Sequence, residues 1–329
     1  MKKITFLITC FLVSSLGSAQ VLFEEDFNSY SAGHLNTDYT GTTAGQGGWR
    51  VERFANAVAT VMVAPETGKG NVLTMTTNST AGQHVFIQQD DGIIDALWNN
   101  RTAGNNVLKL EFEVYGSGDS FGARGWLYSQ NWWLMKVDLF RTQSQFVILA
   151  DHEYSYPAQL ILETYNATTA PVNMWIKAEL FIDYNAQIAY FYIPTLNLFR
   201  ADAIFNSLTP DNIHFEGYAL KSRSVVKFDN IKLTALQSVP AYILSANEWV
   251  SSTFNLYPNP AANVVHITNS ENMQVQQVTV YDLTGKQLST QNFNNKTEIQ
   301  LNVENLASGV YMLHIETNAG IAVKKLVKK

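Results

Sequence analysis

Cysteine is nearly missing from this chain: Cys10 is the only one in 329 residues. It falls in an N-terminal segment that reads as removable, so the remaining protein is expected to have no disulfide, thiolate metal site or cysteine nucleophile. A second long apolar run is missing too, and no transmembrane helix is expected beyond the first 20 residues. Positive charge is scarce. Lys and Arg total 22 against 28 Asp and Glu, and without Lys2 and Lys3 the net charge is near −8, which argues against nucleic acid or an anionic membrane as partner. The stretch 20–236 has no long 3.6-residue apolar periodicity, no internal repeat and no low-complexity tract; at most Asp202 to Ser207 reads as a helical turn. No HExxH, phosphate-binding glycine loop or Ser-His-Asp order occurs.

What is present begins with two termini. Lys2 and Lys3 precede an apolar stretch from Ile4 to Val13, and Gly17-Ser18-Ala19 supplies small residues for a signal peptidase. Residues 1–19 therefore read as a signal peptide cut before Gln20. Thr9 is large for a lipoprotein site and the apolar run continues past Cys10, which disfavours lipidation there.

At the other end, a Ser-rich stretch from 237 to 253 separates strand-like patterning from a second ordered region and reads as a linker. Leu256-Tyr257-Pro258-Asn259-Pro260 fits only a sheet edge or strand entry, because proline lacks a backbone donor. Short strands follow at Val264 to Thr268 and Gln277 to Tyr281, with Gly285 placed for a hairpin turn. Ser308-Gly309 introduces Val310 to Thr317, whose Tyr311, Leu313 and Ile315 share one face. The strings LYPNPAANVVHI, VTVYDLTGKQL and LASGVYMLHIETNAGIAVKKLVKK resemble the type A C-terminal sorting domain of the type IX secretion system over 254–329. The resemblance implies a small immunoglobulin-like β-sandwich, the type IX machinery as partner, and delivery to the outside or outer surface of a Gram-negative bacterium. Its motif residues here are Pro258, Asn259, Pro260, Gly285 and Gly309.

Between the termini, 20–236 carries strand-like runs at 72–76, 85–87, 107–115, 132–140, 146–150, 159–164, 175–183, 187–193 and 225–233. This predicts an all-β passenger. Its spacing, with the opening VLFEEDFNSYSAGHL and the closing VVKFDNIKL, resembles the jelly-roll β-sandwich of the concanavalin A-like lectins and glucanases over 21–236. In that arrangement the first and last strands meet, bringing Glu24 and Asp26 toward Asp229, with a bulge near Asp229-Asn230 where the apolar phase slips. Asp26 and Asp229 then become candidate ligands for a structural calcium ion, the only cofactor expected.

Glu111 and Glu113 lie two apart on a strand and share a face, the geometry of a retaining glycosidase pair. The glucanases of this superfamily carry a third acid where this chain has Tyr115, so the proton donor is missing. Asp151-His152-Glu153, with Tyr154 and Tyr156, forms a second titratable cluster, while His34, His84 and His214 sit at no recognised metal spacing. Aromatics give the stronger signal. Trp126, Tyr128, Trp132 and Trp133 fall within eight residues, and flat rings with polar handles suit sugars. Trp49 and Trp98 are further candidates on loops. The expectation is an exported protein that binds a polysaccharide or surface glycan without catalysis. A divergent glycoside hydrolase or polysaccharide lyase, or an adhesion or structural protein without a small ligand, stays open.

Overall fold

Alternation along single strands decides the layers of the passenger. In Val107–Ser117, Leu108, Leu110, Phe112 and Val114 are buried while Lys109, Glu111, Glu113 and Tyr115 face outward, the period-two pattern of a strand with one face on a core. In Trp175–Asp183, Ile176, Ala178, Leu180 and Ile182 repeat it. The computed structural model of the protein describes residues 19–54, 58–77, 83–89, 92–118, 120–129, 132–152, 160–166, 168–196, 198–204, 208–220, 223–282, 287–317 and 320–329. The signal-peptide reading thus lies outside the described residues except for Ala19, and Gly285 lies outside them as well.

Among the described residues the passenger is two antiparallel sheets packed face to face. The larger runs Leu198–Ala203, Ile188–Ile193, Trp175–Asp183, Val107–Ser117, Ser224–Leu236, Gly70–Thr77, Ala59–Glu66, Gly33–His34, with Gln20–Glu25 also pairing on Ser224–Leu236. The smaller runs Leu160–Asn166, Gln145–His152, Trp132–Arg141, Phe121–Ser129, Asn212–Ala219, Gln83–Gln88, Arg50–Phe54. First and last strands do meet, with Glu24 opposite Lys232. The expected bulge is present: register slips between Asp229 and Lys232, and Asn230 has a φ of 51°. Asp202 lies in a strand rather than in the helical turn expected there, because Leu198–Ala203 pairs along Ile188–Ile193.

The core between the sheets centres on Phe112, Phe215 and Phe228, with ring centroids 5.1 to 6.3 Å apart. Phe112 comes from one sheet and Phe215 from the other, so this cluster sets their separation. Gly125 permits it: a Cβ there would lie 2.4 Å from the Phe112 ring. Two helices interrupt the β pattern, Ile93–Asn99, which buries Ile94 and Trp98, and Ala241–Thr253. The second occupies the stretch read as a linker. Its start packs on the passenger, where Val239 and Ile243 join Val107, Phe181, Tyr190 and Ala201, while Val250 belongs to the core of the C-terminal unit.

That unit has two small sheets, Phe254–Tyr257, Val264–Asn269 and Ile299–Asn302 against Gln287–Lys296, Val275–Tyr281, Gly309–Thr317 and Gly320–Lys328. Asn259, between the two prolines, explains why that motif sits at an edge. Its Nδ2 donates to the Lys325 carbonyl and its Oδ1 accepts from the Val327 amide, both at 2.8 Å, doing for the last strand what a neighbouring strand would. Gly309 opens the strand that pairs with this one, opposite Lys328. His266 stacks on Tyr257 at 5.1 Å and His314 packs at 4.6 Å from Tyr281.

The passenger and the C-terminal unit are joined by a buried charge. Arg200 is 2% exposed, and it donates to Glu316 Oε1 at 2.6 Å and to the Thr317 carbonyl. A buried guanidinium is tolerated only where such acceptors meet it. Arg200→Ala removes both bonds and is expected to lower the stability of the full chain by about 2 to 3 kcal/mol, read as a reduced urea midpoint. An unchanged midpoint would mean that the contact contributes nothing.

Candidate functional site

The outward face of the smaller sheet gathers the aromatic residues that sequence singled out and several that it did not. Phe121–Ser129 points Phe121, Ala123 and Leu127 into the core, so Arg124, Trp126 and Tyr128 face outward. Residues opposite each other in an antiparallel pair share a face. His214 is opposite Trp126, Glu216 opposite Arg124, and Tyr218 opposite Gly122 on one neighbouring strand. On the other neighbour Lys136 is opposite Trp126, Asp138 opposite Arg124, and Trp133 opposite Tyr128. Beyond Asn212–Ala219, His84 and Phe86 continue the same face.

These side chains form two linked groups. In the first, Phe86, His214 and Tyr128 stack nearly parallel across three strands, at 5.8 and 4.6 Å, with Trp126 tilted at 5.8 Å from His214. In the second, Arg124 is held between two carboxylates: Nε and Nη2 donate to Asp138 Oδ2 at 2.9 and 2.7 Å, and Nη1 donates to Glu216 Oε2 at 2.9 Å. Tyr218 donates its hydroxyl to Asp138 Oδ1 at 2.7 Å, and His84 meets the other oxygen of Glu216. The Arg124 guanidinium lies 5.3 Å from the Trp126 ring and 4.8 Å from Tyr218, which ties the groups together. Lys136 lies 4.2 Å over Trp133.

Burial shapes the ionisation here. Burial opposes the charge on Arg124, but Asp138 and Glu216 more than offset it and hold the guanidinium firmly protonated. Burial, with the Asp138 charge added, pushes the Tyr218 hydroxyl above the usual tyrosine range. Burial brings His214 down to about 4, the neighbouring Glu216 charge opposing it only in part, so His214 is a neutral stacking ring at pH 7. Gly122 leaves the space in which the Tyr218 ring lies, since a Cβ there would stand 1.9 Å from it.

Trp126, Tyr128 and Trp133 are therefore brought together, all half-buried on this face. Trp132 belongs to the strand Trp132–Arg141, but its side chain lies outside the described residues. Trp49 and Trp98 are corrections. Both are fully buried, Trp49 with its Nε1 toward Glu25 at 3.3 Å, because they fill the sandwich beside Phe27 and Tyr184. The Asp151-His152-Glu153 cluster lies mostly outside the described residues. His152 itself is buried, with Nε2 at 3.3 Å from Asp202.

The acidic candidates occupy the opposite surface, on the outward face of the larger sheet. Glu111 accepts from Lys109 at 2.7 Å and Lys177 at 2.9 Å; Glu113 accepts from Lys69 at 2.5 Å and from the Asn230 amide. Burial opposes ionisation of Glu111, yet the two lysines outweigh it and bring the carboxyl down to about 2. Burial likewise opposes ionisation of Glu113, and Lys69 and Asn230 outweigh it. Both are fixed anions near pH 7, the wrong state for a proton donor. A cleft of about 300 Å³ lies beside them, lined by Glu24, Asp26, Glu113, Lys177, Asn230 and Lys232 among others. Asp229 is buried, its carboxylate 3.1 Å from the Lys69 ammonium, and Asp26 accepts the Asn28 amide. With a fixed cation already on Asp229, this donor set does not fit calcium, and the described residues contain no group of three or more His, Cys, Asp or Glu arranged for a metal.

Comparison with known proteins places the C-terminal unit first. Residues 255–329 match the family described as "Secretion system C-terminal sorting domain". This unit is the C-terminal sorting domain of the type IX secretion system, and it marks the chain for export by that route. No curated protein sequence matches the chain. Among solved structures, the chain is similar to the CBM2 module of the evolved Dit protein of a Lactobacillus casei phage, at 12% identity and TM-score 0.43 over 68% of this chain and 99% of that one. It is similar to a putative sugar binding protein from Bacteroides thetaiotaomicron, at 12% identity and TM-score 0.36 over 66% and 100%. A family 11 carbohydrate-binding module from Clostridium thermocellum gives 15% identity and TM-score 0.28 over 62% and 96%. Likenesses this distant say nothing about a ligand. No helix of the described residues is long and apolar enough to cross a membrane.

His214 gives a pH test of the site's packing. Above pH 6.5 it is neutral folded and unfolded, and its packing contributes in full. As pH falls from there toward 4, the unfolded chain takes up a proton that the folded site refuses, and about 3 kcal/mol is lost. Urea denaturation at pH 7 and pH 4.5 should show His214→Phe losing less stability than the parent protein between the two. An equal loss would show that His214 does not titrate as its burial requires.

Proposed function

We propose that the passenger is a noncatalytic carbohydrate- or glycoconjugate-binding module that takes its ligand on the outward face of the smaller sheet. One observation carries the reading: half-buried Trp126, Tyr128 and Trp133 lie beside a closed polar cluster of Arg124, Asp138, Glu216 and Tyr218. A sugar ring presents apolar C–H patches beside hydroxyls, and this face sets ring surfaces beside fixed donors and acceptors at that scale. The rings are held by stacking and the polar groups by ion pairs, so little side-chain freedom is lost on binding. The ligand would lie outside the cell or on its surface, where the sorting domain directs the chain. A glycosidase or lyase reading would rest on Glu111 and Glu113, whose oxygens are engaged by lysines.

Affinity electrophoresis of the secreted protein through a polysaccharide panel tests the proposal. Retardation by at least one polymer, weakened about tenfold or more in Trp126→Ala or Tyr128→Ala with the polymer left intact, is the expected result. Retardation unchanged in both variants would move the site off this face.

A further inference from the structure

Charge on the four central strands of this face is balanced internally. Their outward charged side chains are Arg124, Lys136, Asp138 and Glu216, two of each sign. Arg124 spends Nε, Nη1 and Nη2 on the two carboxylates. Asp138 is 3% exposed, Glu216 4% and Lys136 6%, the last lying over the Trp133 ring. His214, the remaining ring at the centre, is neutral at pH 7. The face therefore presents half-buried aromatic rings, a phenol and an ion cluster that is already closed.

Such a face has a consequence for what it binds. A uronate, sulfate or sialate brought against Trp126 and Tyr128 gives up hydration of its charge and meets a guanidinium whose positive charge two carboxylates already answer. Those carboxylates repel it across a short distance in a partly dry site. An uncharged sugar loses no ionic hydration and finds hydroxyl-bonding partners in the partly exposed Arg124 guanidinium and the Tyr128 phenol. Resting on the reading of this face as a glycan site, we infer that its ligand is a neutral polysaccharide or glycan and that acidic polymers are rejected.

The test uses the full chain against two sets of soluble polymers. One set is neutral, β-glucan, mannan and xylan; the other is acidic, polygalacturonate, alginate and chondroitin sulfate. The expected result is retardation by a neutral polymer at least tenfold stronger than by any acidic one, and nearly constant between 0.05 and 0.5 M salt, because no ion pair forms with the ligand. Glu216→Gln, which leaves the face, Lys136 included, one positive charge in excess, should then gain salt-sensitive retardation by acidic polymers. The salt series on the parent protein decides the matter even if that variant does not fold. Stronger retardation by acidic polymers, lost in high salt, would overturn neutrality while leaving glycan binding standing. Retardation by neither set would overturn the glycan reading and this inference with it.

Discussion

Every residue of the strand Asn212–Ala219 is buried, and the passenger depends on that double burial. One face sends Ile213 and Phe215 into the sandwich, where Phe215 meets Phe112 and Phe228. The other sends His214, Glu216 and Tyr218 into the stacked rings and ion cluster of the outer surface. A register slip of one residue would exchange the two sets, placing Glu216 in the apolar core. Packing and the proposed binding surface are thus fixed by the same strand, and the core holds the candidate site residues at their spacing.

Glycines make that arrangement sterically possible. The outer rings can lie close to the sheet only where a neighbour lacks a side chain, which Gly122 provides beneath Tyr218. On the inner face Gly125 does the same for Phe112. Both sit on Phe121–Ser129, whose outward residues Arg124, Trp126 and Tyr128 are the centre of the proposed site. The opposite surface of the sandwich uses charge differently. There Lys69, Lys109 and Lys177 each bridge two carboxylates across strands, so the Glu111 and Glu113 pair is a set of cross-strand ties.

Much of the fold was legible in the chain. Val107–Ser117 and Trp175–Asp183 carry apolar residues at alternate positions because one face of each meets the core, and with Trp132–Arg141 and Ser224–Leu236 they were expected within a few residues. The bulge at Asn230 showed as a slip of apolar phase. The site was half legible. Trp126, Tyr128 and Trp133 stood out by ring density, but Arg124, His214, Glu216 and Tyr218 did not. Asn212–Ala219 alternates between apolar and polar residues that are all buried, and such a strand sends no signal that its polar residues have a covered face of their own. Gly122 and Gly125 likewise obscured Phe121–Ser129 as a strand, since glycine in a run usually signals a break.

The sequence by itself determined the all-β class and the export address, because each is written in local pattern: period-two alternation, the Pro258-Asn259-Pro260 edge and the order of the last strands. Tertiary structure alone decided which candidates meet. It buried Trp49 and Trp98 that loop position had offered, set lysines on Glu111 and Glu113, and carried His84, Arg124, Asp138, Glu216 and Tyr218 to one cluster. These residues come from four strands, and the separation of strands in sequence bears no relation to their adjacency in a sheet. Only the register of pairing, enforced by the shared core, converts one into the other.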